Sequence, residues 1–272
     1  MITAEIVAKS RPRLATAGGI VTFKLVYPSF IHQQLLTHGV FVRNTSSSRA
    51  IPAAKFARLV RENPAMPVFF GAAQSGMRAE KEVANPDLAR QWWLEACDAA
   101  LEKHAEGMRL GLHKEVLNRI LQPFQHSVVL VSTTDLGNWR RQRLPEHAQE
   151  EIRTLARAMD TAFYAAPYAD TPWHLPLVGQ YPGDYERRTD PFMAQALVSA
   201  SRCARISFLL ENKNYEADLE DGKVRKSDGH WSPFGHQAYY SAGMSSRQFR
   251  NWVQHRALVD NGIGELHTLE GM

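Results

Sequence analysis

Cysteine is almost missing from this chain: 272 residues hold only Cys97 and Cys203. Two thiols at no metal-ligand spacing exclude a disulfide framework and a structural zinc site, and they fit a reduced, cytoplasmic setting. No apolar run approaches the roughly 20 residues a membrane helix needs. The opening Met1-Ile2-Thr3-Ala4-Glu5 has no basic region ahead of an apolar one, so no secretory leader is expected. A strong charge of one sign is also absent. The formal charge of +4 permits small anionic ligands such as nucleotides and folates without arguing for a nucleic-acid groove. The eleven histidines are scattered, and no metal site is expected.

What the chain does have is apolar content, 44%, enough for a substantial core. Residues 19–27 alternate as a strand does, and Pro28 opens a short helix carrying Phe30, Ile31, Leu35 and Leu36. Residues 53–61 predict a helix that Pro64 and Pro67 close, and 71–77 predict a loop. From Pro86 and Asp87 the near-helical spacing of Leu88, Trp92, Leu94, Cys97 and Leu101 predicts a long amphipathic helix, with Trp92 and Trp93 as packing residues. A further helix is expected over 113–121, ending before Pro123. A buried strand is expected over 126–132, and a long helix over 147–164 with Ile152, Leu155, Ala156, Met159 and Phe163 on one face. Residues 166–189, rich in Pro, Tyr and Asp, predict a linker between a core of 1–165 and a C-terminal segment of 190–272. In that segment Pro191 opens a helix through Leu197, and residues 249–256 predict either an exposed helix or a binding element.

The chemistry concentrates between Leu35 and Ala50. A histidine, an asparagine, four consecutive hydroxyl residues from Thr45 to Ser48 and an arginine fall within one loop's length. Hydroxyl and backbone donors beside a guanidinium fork suit a phosphate or the polar edge of a nucleotide. A solvated turn has the same composition, since Ser and Thr favour turns for conformational reasons.

The segment resembles the signature of the flavin-dependent thymidylate synthases (the ThyX family), an Arg-His-Arg triplet followed by Asn, Ser and Arg. His38, Asn44, Ser47 and Arg49 stand at the matching spacing, with Gln34 at the glutamine that precedes the triplet. Thr37 and Gly39 replace both arginines of the triplet, and Thr45 stands where the family usually has a glutamate. Asn138, Arg143, His147, Ala148, Gln149 and Ile152 are similar to the family's segment ending in a nucleotide-binding arginine. Gly111, Glu115, Arg119 and Pro123 resemble the helix that carries another phosphate-binding arginine, with one extra residue between Glu115 and Arg119. Ala204-Arg205-Ile206-Ser207 and Ser232-Pro233-Phe234-Gly235-His236 resemble the pieces that usually open a family member. Here they come last, as in a circular permutation and similar to phage-encoded members.

The resemblance implies a mixed α/β fold with a central sheet flanked by helices, assembled into a homotetramer with active sites at subunit contacts. It implies FAD, NADPH and 5,10-methylenetetrahydrofolate as cofactors and dUMP as the substrate converted to dTMP. Arg49, Arg119 and Arg143 would hold the dUMP phosphate and base, with Gln34, Ser47 and Ser48 beside them. Ser47, Arg49 and Arg143 would serve the reacting centre. Ser47 has no identifiable base next to it in sequence and is read as a binding group. His38, Asn44, Asn138, Ser207 and His236 would face the flavin. The space that glycine leaves at position 39 makes a second product plausible. Water quenching the methylene intermediate would give a 5-hydroxymethyl pyrimidine nucleotide, from dUMP or dCMP, of the sort used in modified phage DNA. A third reading is an inactive nucleotide-binding paralogue. Arg250 or Arg256 is expected to restore part of the positive charge lost at positions 37 and 39.

Overall fold

The structure is a computed structural model and describes residues 1–15, 18–181, 183–206 and 214–260. Strands β1 (Thr3–Ser10), β2 (Ile20–Pro28), β3 (Val42–Thr45) and β4 (His126–Thr133) form an antiparallel sheet in the order β1-β2-β4-β3. β2 and β4 lie side by side in unbroken register, from Val21 opposite Thr133 to Pro28 opposite His126. The apolar run in β4 thus marks an interior strand. Because side chains alternate across a strand, each of these strands serves two cores. Phe23, Leu25, Tyr27, Val129 and Val131 pack in one cluster, while Leu130 joins another on the far side.

The helices of the first face follow in chain order: α1 (His32–Leu36), α2 (Ala53–Glu62), α3 (Pro86–Arg109), α4 (Lys114–Leu117), α5 (Gly137–Arg143) and α6 (Glu150–Ala165). α6 lays Ile152, Leu155, Ala156 and Met159 onto the sheet, the i, i+3, i+4, i+7 stripe that its spacing predicts. α3 starts where Asn85 Oδ1 accepts the Leu88 N–H at 3.1 Å, with Pro86 in the first turn. Its Cys97 and Leu101 pack on Phe56, Val60, Leu121 and Phe124. Trp92, expected to pack, is 63% exposed. It lies on the side of α3 turned away from α2, whereas Trp93 reaches Phe30 and Phe124. The helix expected over 113–121 stops at Leu117 and tightens into a 3-10 segment, Asn118–Phe124, that accommodates Pro123. Asn118 turns inward there, its amide donating to the carbonyls of Ser48 and Ile51 while its oxygen faces the His104 ring.

The other face is covered by the C-terminal part: β5 (Trp173–His174), α7 (Phe192–Ala204), α8 (Tyr215–Ser227), β6 (Ala238–Ser246), β7 (Phe249–Gln254) and α9 (His255–Asp260). β5, β6 and β7 form a second antiparallel sheet. The expected linker carries β5, and it buries His174 and Asp184. Asp184 is held because Arg202 of α7 needs it: Arg202 pairs with Asp184 at 2.6 Å and with Asp218 of α8 at 2.7 Å, all three side chains being buried. A guanidinium taken from water requires such partners. Residues 249–254 form a strand, correcting the expected helix, and they sink Phe249 and Trp252 completely. No helix among the described residues is long and apolar enough to cross a membrane.

Candidate nucleotide site

β3 is the stage on which the expected site residues are set. It is only four residues long, Val42–Thr45, so it separates the residues before it from those after it by about 13 Å. His38 lies at its N-terminal end and the Ser/Arg loop at its C-terminal end.

At the first end, α1 stops at Leu36 and the chain turns, the His38 N–H donating to the Leu35 carbonyl at 3.1 Å. The His38 ring is 2% exposed, sits edge-on to Trp139 at 4.8 Å and tilts against Phe41 at 5.7 Å. Arg143, at the end of α5, donates from Nε to His38 Nε2 at 3.0 Å and from Nη2 to Thr37 Oγ1 at 3.1 Å and to the Gln34 carbonyl at 3.3 Å. Burial first, and the Arg143 and Arg43 charges second, lower the His38 pKa to about 4. The ring is therefore neutral at physiological pH, and with Nε2 accepting from Arg143 it carries its proton on Nδ1. That Nδ1 is buried and has no hydrogen-bond partner. The structure thus brings together His38, Arg143 and Gln34, whose amide reaches Gln149 of the Ala148-Gln149 stretch before α6. Trp139, the platform under His38, carried no functional expectation. Its i, i+4 relation to Arg143 on α5 places both on one helix side, a signal present in the sequence.

At the other end Ser46 is tied into the sheet, its N–H donating to the Val128 carbonyl and its Oγ accepting the Val128 N–H. Ser48, Arg49 and Ala50 make a 3-10 turn that Asn118 pins through the Ser48 carbonyl. Arg49 is exposed and pairs with Glu115 of α4 at 3.3 Å, so the resemblance's glutamate and its loop arginine meet in space. Arg119 is exposed on the neighbouring 3-10 segment. The loop and the segment carrying Arg119 are therefore adjacent, while Arg143 stands at the far end of β3.

Alternation along β3 turns Asn44 to the opposite face, where His236 also lies. Asn44 donates to the Cys203 carbonyl at 2.6 Å and accepts from Ser232 Oγ at 3.4 Å, joining the sheet to the C-terminal part. His236 is wholly buried. Its Nδ1 faces Ser132 Oγ at 2.8 Å, in a line that continues through Thr22 to His174 and Ser10. Burial lowers the His236 pKa to about 3, and its Nε2 has no partner. Asn138 lies on α5, on the His38 side, accepting from Gln142 at 3.2 Å. Ser207 lies outside the described residues. Of the two arginines expected to compensate for Thr37 and Gly39, Arg256 lines a cleft with Arg43 beside β3, whereas Arg250 is exposed next to Thr134.

A sequence model described as thymidylate synthase complementing protein matches residues 18–167, more than half of the chain. The chain belongs to the thymidylate synthase complementing protein family. It is accordingly a nucleotide C5-modifying enzyme of the thymidylate synthase type. The matched span holds β2, β3, β4, both ends of the β3 stage and α6. Among solved structures the chain is similar to the UMP/dUMP methylase PolB from Streptomyces cacaoi bound with 5-Br dUMP, at 18% identity over 61% of this chain and 90% of that one, with a TM-score of 0.49. The same methylase bound with 5-Br UMP gives 18% identity, 61% and 89% coverage and a TM-score of 0.47. No curated protein matches the chain by sequence.

Proposed function

We propose that this family member uses FAD, NADPH and 5,10-methylenetetrahydrofolate to place a one-carbon unit on C5 of dUMP, giving dTMP. The observation that carries the reading is the family match over residues 18–167, a span that includes the Ser47–Arg49 loop and the His38–Arg143 contact. Arg49 and Arg119, exposed on adjacent segments with Ser47 and Ser48 beside Arg49, would bind the dianionic phosphate, because guanidinium forks and hydroxyls give charge-assisted bonds. Arg143 spends Nε and Nη2 on His38, Thr37 and Gln34, which fixes the plane of its guanidinium. It would present Nη1 to the uracil edge. His38 orients Arg143 as a neutral acceptor and adds no charge of its own.

The chain fits a flavin in one respect that is visible in its side chains. Among the described residues His38 Nδ1 and His236 Nε2 are buried polar atoms without hydrogen-bond partners, which costs stability unless a further group supplies the missing bond. His38, Asn44, Asn138, Ser207 and His236 would hold the flavin, and when bound it supplies the hydride that completes the methyl group. His38 and Asn138 lie on one face of the sheet and Asn44 and His236 on the other, so a flavin held by both sets would bridge the edge of β3 or take one set from a second subunit, as in a homotetramer. Met108, Leu110, Leu112, Val116 and Ile120, exposed along the end of α3 and the turns after it, offer apolar surface for such a contact.

Position 39 favours a second product. A side chain built there would meet nothing within 4 Å, so the space is open to solvent. Water reaching the methylene intermediate would give 5-hydroxymethyl-dUMP, or 5-hydroxymethyl-dCMP if cytosine is accepted. The deciding experiment is mass spectrometry of the nucleotide after incubation with FAD, NADPH, methylenetetrahydrofolate and dUMP or dCMP. A methyl product from dUMP establishes the first reading and a hydroxymethyl product the second. Colourless protein that binds dUMP without turnover leaves a nucleotide-binding paralogue.

A further inference from the structure

We propose that the cleft between edge strand β3 and the β6–β7 turn binds a phosphate ester or diphosphate, at a site separate from the Arg49 loop. The cleft encloses about 180 Å³ and is lined by Arg43, Ser232, Arg247, Gln248, Gln254 and Arg256, with no carboxylate among its lining residues. It is a seam: Arg43 comes from the part matched by the family, and the other five come from the C-terminal part that covers the second face of the sheet.

The charges in this seam are not balanced. Arg247 and Arg256 share the single carboxylate of Asp260, Arg256 at 3.8 Å. Arg43 spends Nη1 on the Leu36 carbonyl at 2.7 Å, which caps α1 and supplies only a carbonyl's partial negative charge, not a carboxylate. Among the described residues three guanidiniums therefore face one carboxylate. Burial lowers the pKa of Arg43, and burial together with the Arg247 charge lowers that of Arg256, the direction expected of cations held without enough counter-charge. Among the described residues, two buried polar atoms in the cleft make no hydrogen bond: Arg256 Nε, a donor that stands 3.8 Å from the Asp260 carboxylate, and the side-chain amide oxygen of Gln254, a residue 1% exposed. The Gln254 amide nitrogen donates to Gln248 Oε1 at 3.4 Å and is the donor of that side chain on offer to an anion. A phosphate seated here would accept from the guanidinium N–H groups of Arg43, Arg247 and Arg256 and from the Gln254 amide while neutralising the excess charge.

Arg247 adds a second line of support. It occupies the two-residue turn between Ser246 and Phe249 with φ of 53°, a left-handed conformation that favours glycine or asparagine. An arginine there places its charge over the cleft at the expense of local conformational comfort. This inference does not rest on the one-carbon chemistry, since a chain without turnover would bind the same anion.

The test is calorimetric titration with inorganic pyrophosphate at fixed ionic strength. The unsubstituted protein is expected to bind it. R247G, which relaxes the turn as it removes the charge, and R256Q should each weaken binding at least tenfold with melting temperature little changed. D260N should tighten it severalfold, an effect that a merely structural role for these arginines would not give. R49A removes whatever pyrophosphate binds at the Ser47–Arg49 loop and should keep the component that R247G and R256Q abolish. Displacement by ADP assigns the cleft to the diphosphate of a dinucleotide cofactor, and displacement by dUMP assigns it to the substrate; both uphold an anion site. No binding by the unsubstituted protein, equal binding by R247G and R256Q, or loss in R49A of the component that depends on Arg247 and Arg256 overturns it.

Discussion

His255 offers the cleanest test of how this interior is built. Its ring lies wholly buried between Phe234, at 5.3 Å, and Phe192, at 6.2 Å, and neither ring nitrogen has a hydrogen-bond partner among the described residues. Burial, helped by the Lys226 charge, lowers its pKa from 6.5 to about 3. The sign follows directly. In the unfolded chain this histidine takes up a proton as pH falls below about 6.5, and in the folded chain it does so only near 3. The stability that depends on the neutral ring is complete above the unfolded value and is lost as pH falls through that window. At about pH 5 the loss amounts to roughly 2 kcal/mol, 1.4 kcal/mol for each unit between 6.5 and 5. His255→Phe removes the titration and keeps a flat ring between two aromatics. It also removes two unsatisfied buried polar atoms, while its larger ring adds some packing strain, so the net change at pH 7.5 is small. Urea unfolding at about pH 7.5 and about pH 5 reads the slope, which the packing term does not touch. The variant should lose about 2 kcal/mol less than the parent between the two conditions. Equal losses in both proteins would refute the reasoning, because they would mean that His255 is solvated or paired in the folded state.

Arg143→Ala should leave melting within a few degrees, since Arg143 is half-buried at the surface, yet lower turnover at least tenfold by freeing His38 and Thr37; steady-state kinetics beside a thermal scan separate the two effects. Arg202→Met strands the buried carboxylates Asp184 and Asp218 and should cost about 3–5 kcal/mol, read by urea unfolding, with a loss under 1 kcal/mol showing that water already reaches them. Gly39→Arg enters open space at an exposed position and should change stability by no more than about 0.5 kcal/mol. If solvent entry at position 39 controls the product, the same variant shifts a hydroxymethyl product toward methyl by mass spectrometry.

The sheet and its helices were legible where side-chain periodicity is strong. The alternation of residues 19–27, the apolar run in β4 and the Ile152–Met159 stripe of α6 each specify an element and the face it buries. The misreadings share one cause, a tertiary partner distant in sequence. Residues 166–189 look like a linker because their composition is that of a loop, yet Asp184 is buried by an arginine eighteen positions later. Residues 249–254 have arginines and aromatics at ambiguous spacing, and only pairing with β6 makes them a strand. In the site, the residue types around His38 and Arg49 are visible in one short stretch. That Arg143 crosses to His38, and that Glu115 meets Arg49, depends on α4 and α5 being brought beside β3, which no local pattern records.

The length of β3 then decides how far one chain can go. Val42 and Asn44 face the C-terminal part, so Asn44 is committed to the Cys203 carbonyl and Ser232. His38, just ahead of the strand, turns to the opposite face and to Trp139. Two residue sets that sit six positions apart in sequence are thereby placed on opposite sides of a hydrogen-bonded sheet, and no side-chain rotation can reunite them through it. A ligand that needs both sets must bridge the edge of β3 or take one set from a second copy of the chain. The edge of β3 is also where Arg43, Arg247 and Arg256 gather. An elongated phosphorylated ligand lying along that edge would be anchored by its phosphates in the seam while its ring reached one of the two faces, which is how a four-residue strand can organise a site larger than itself.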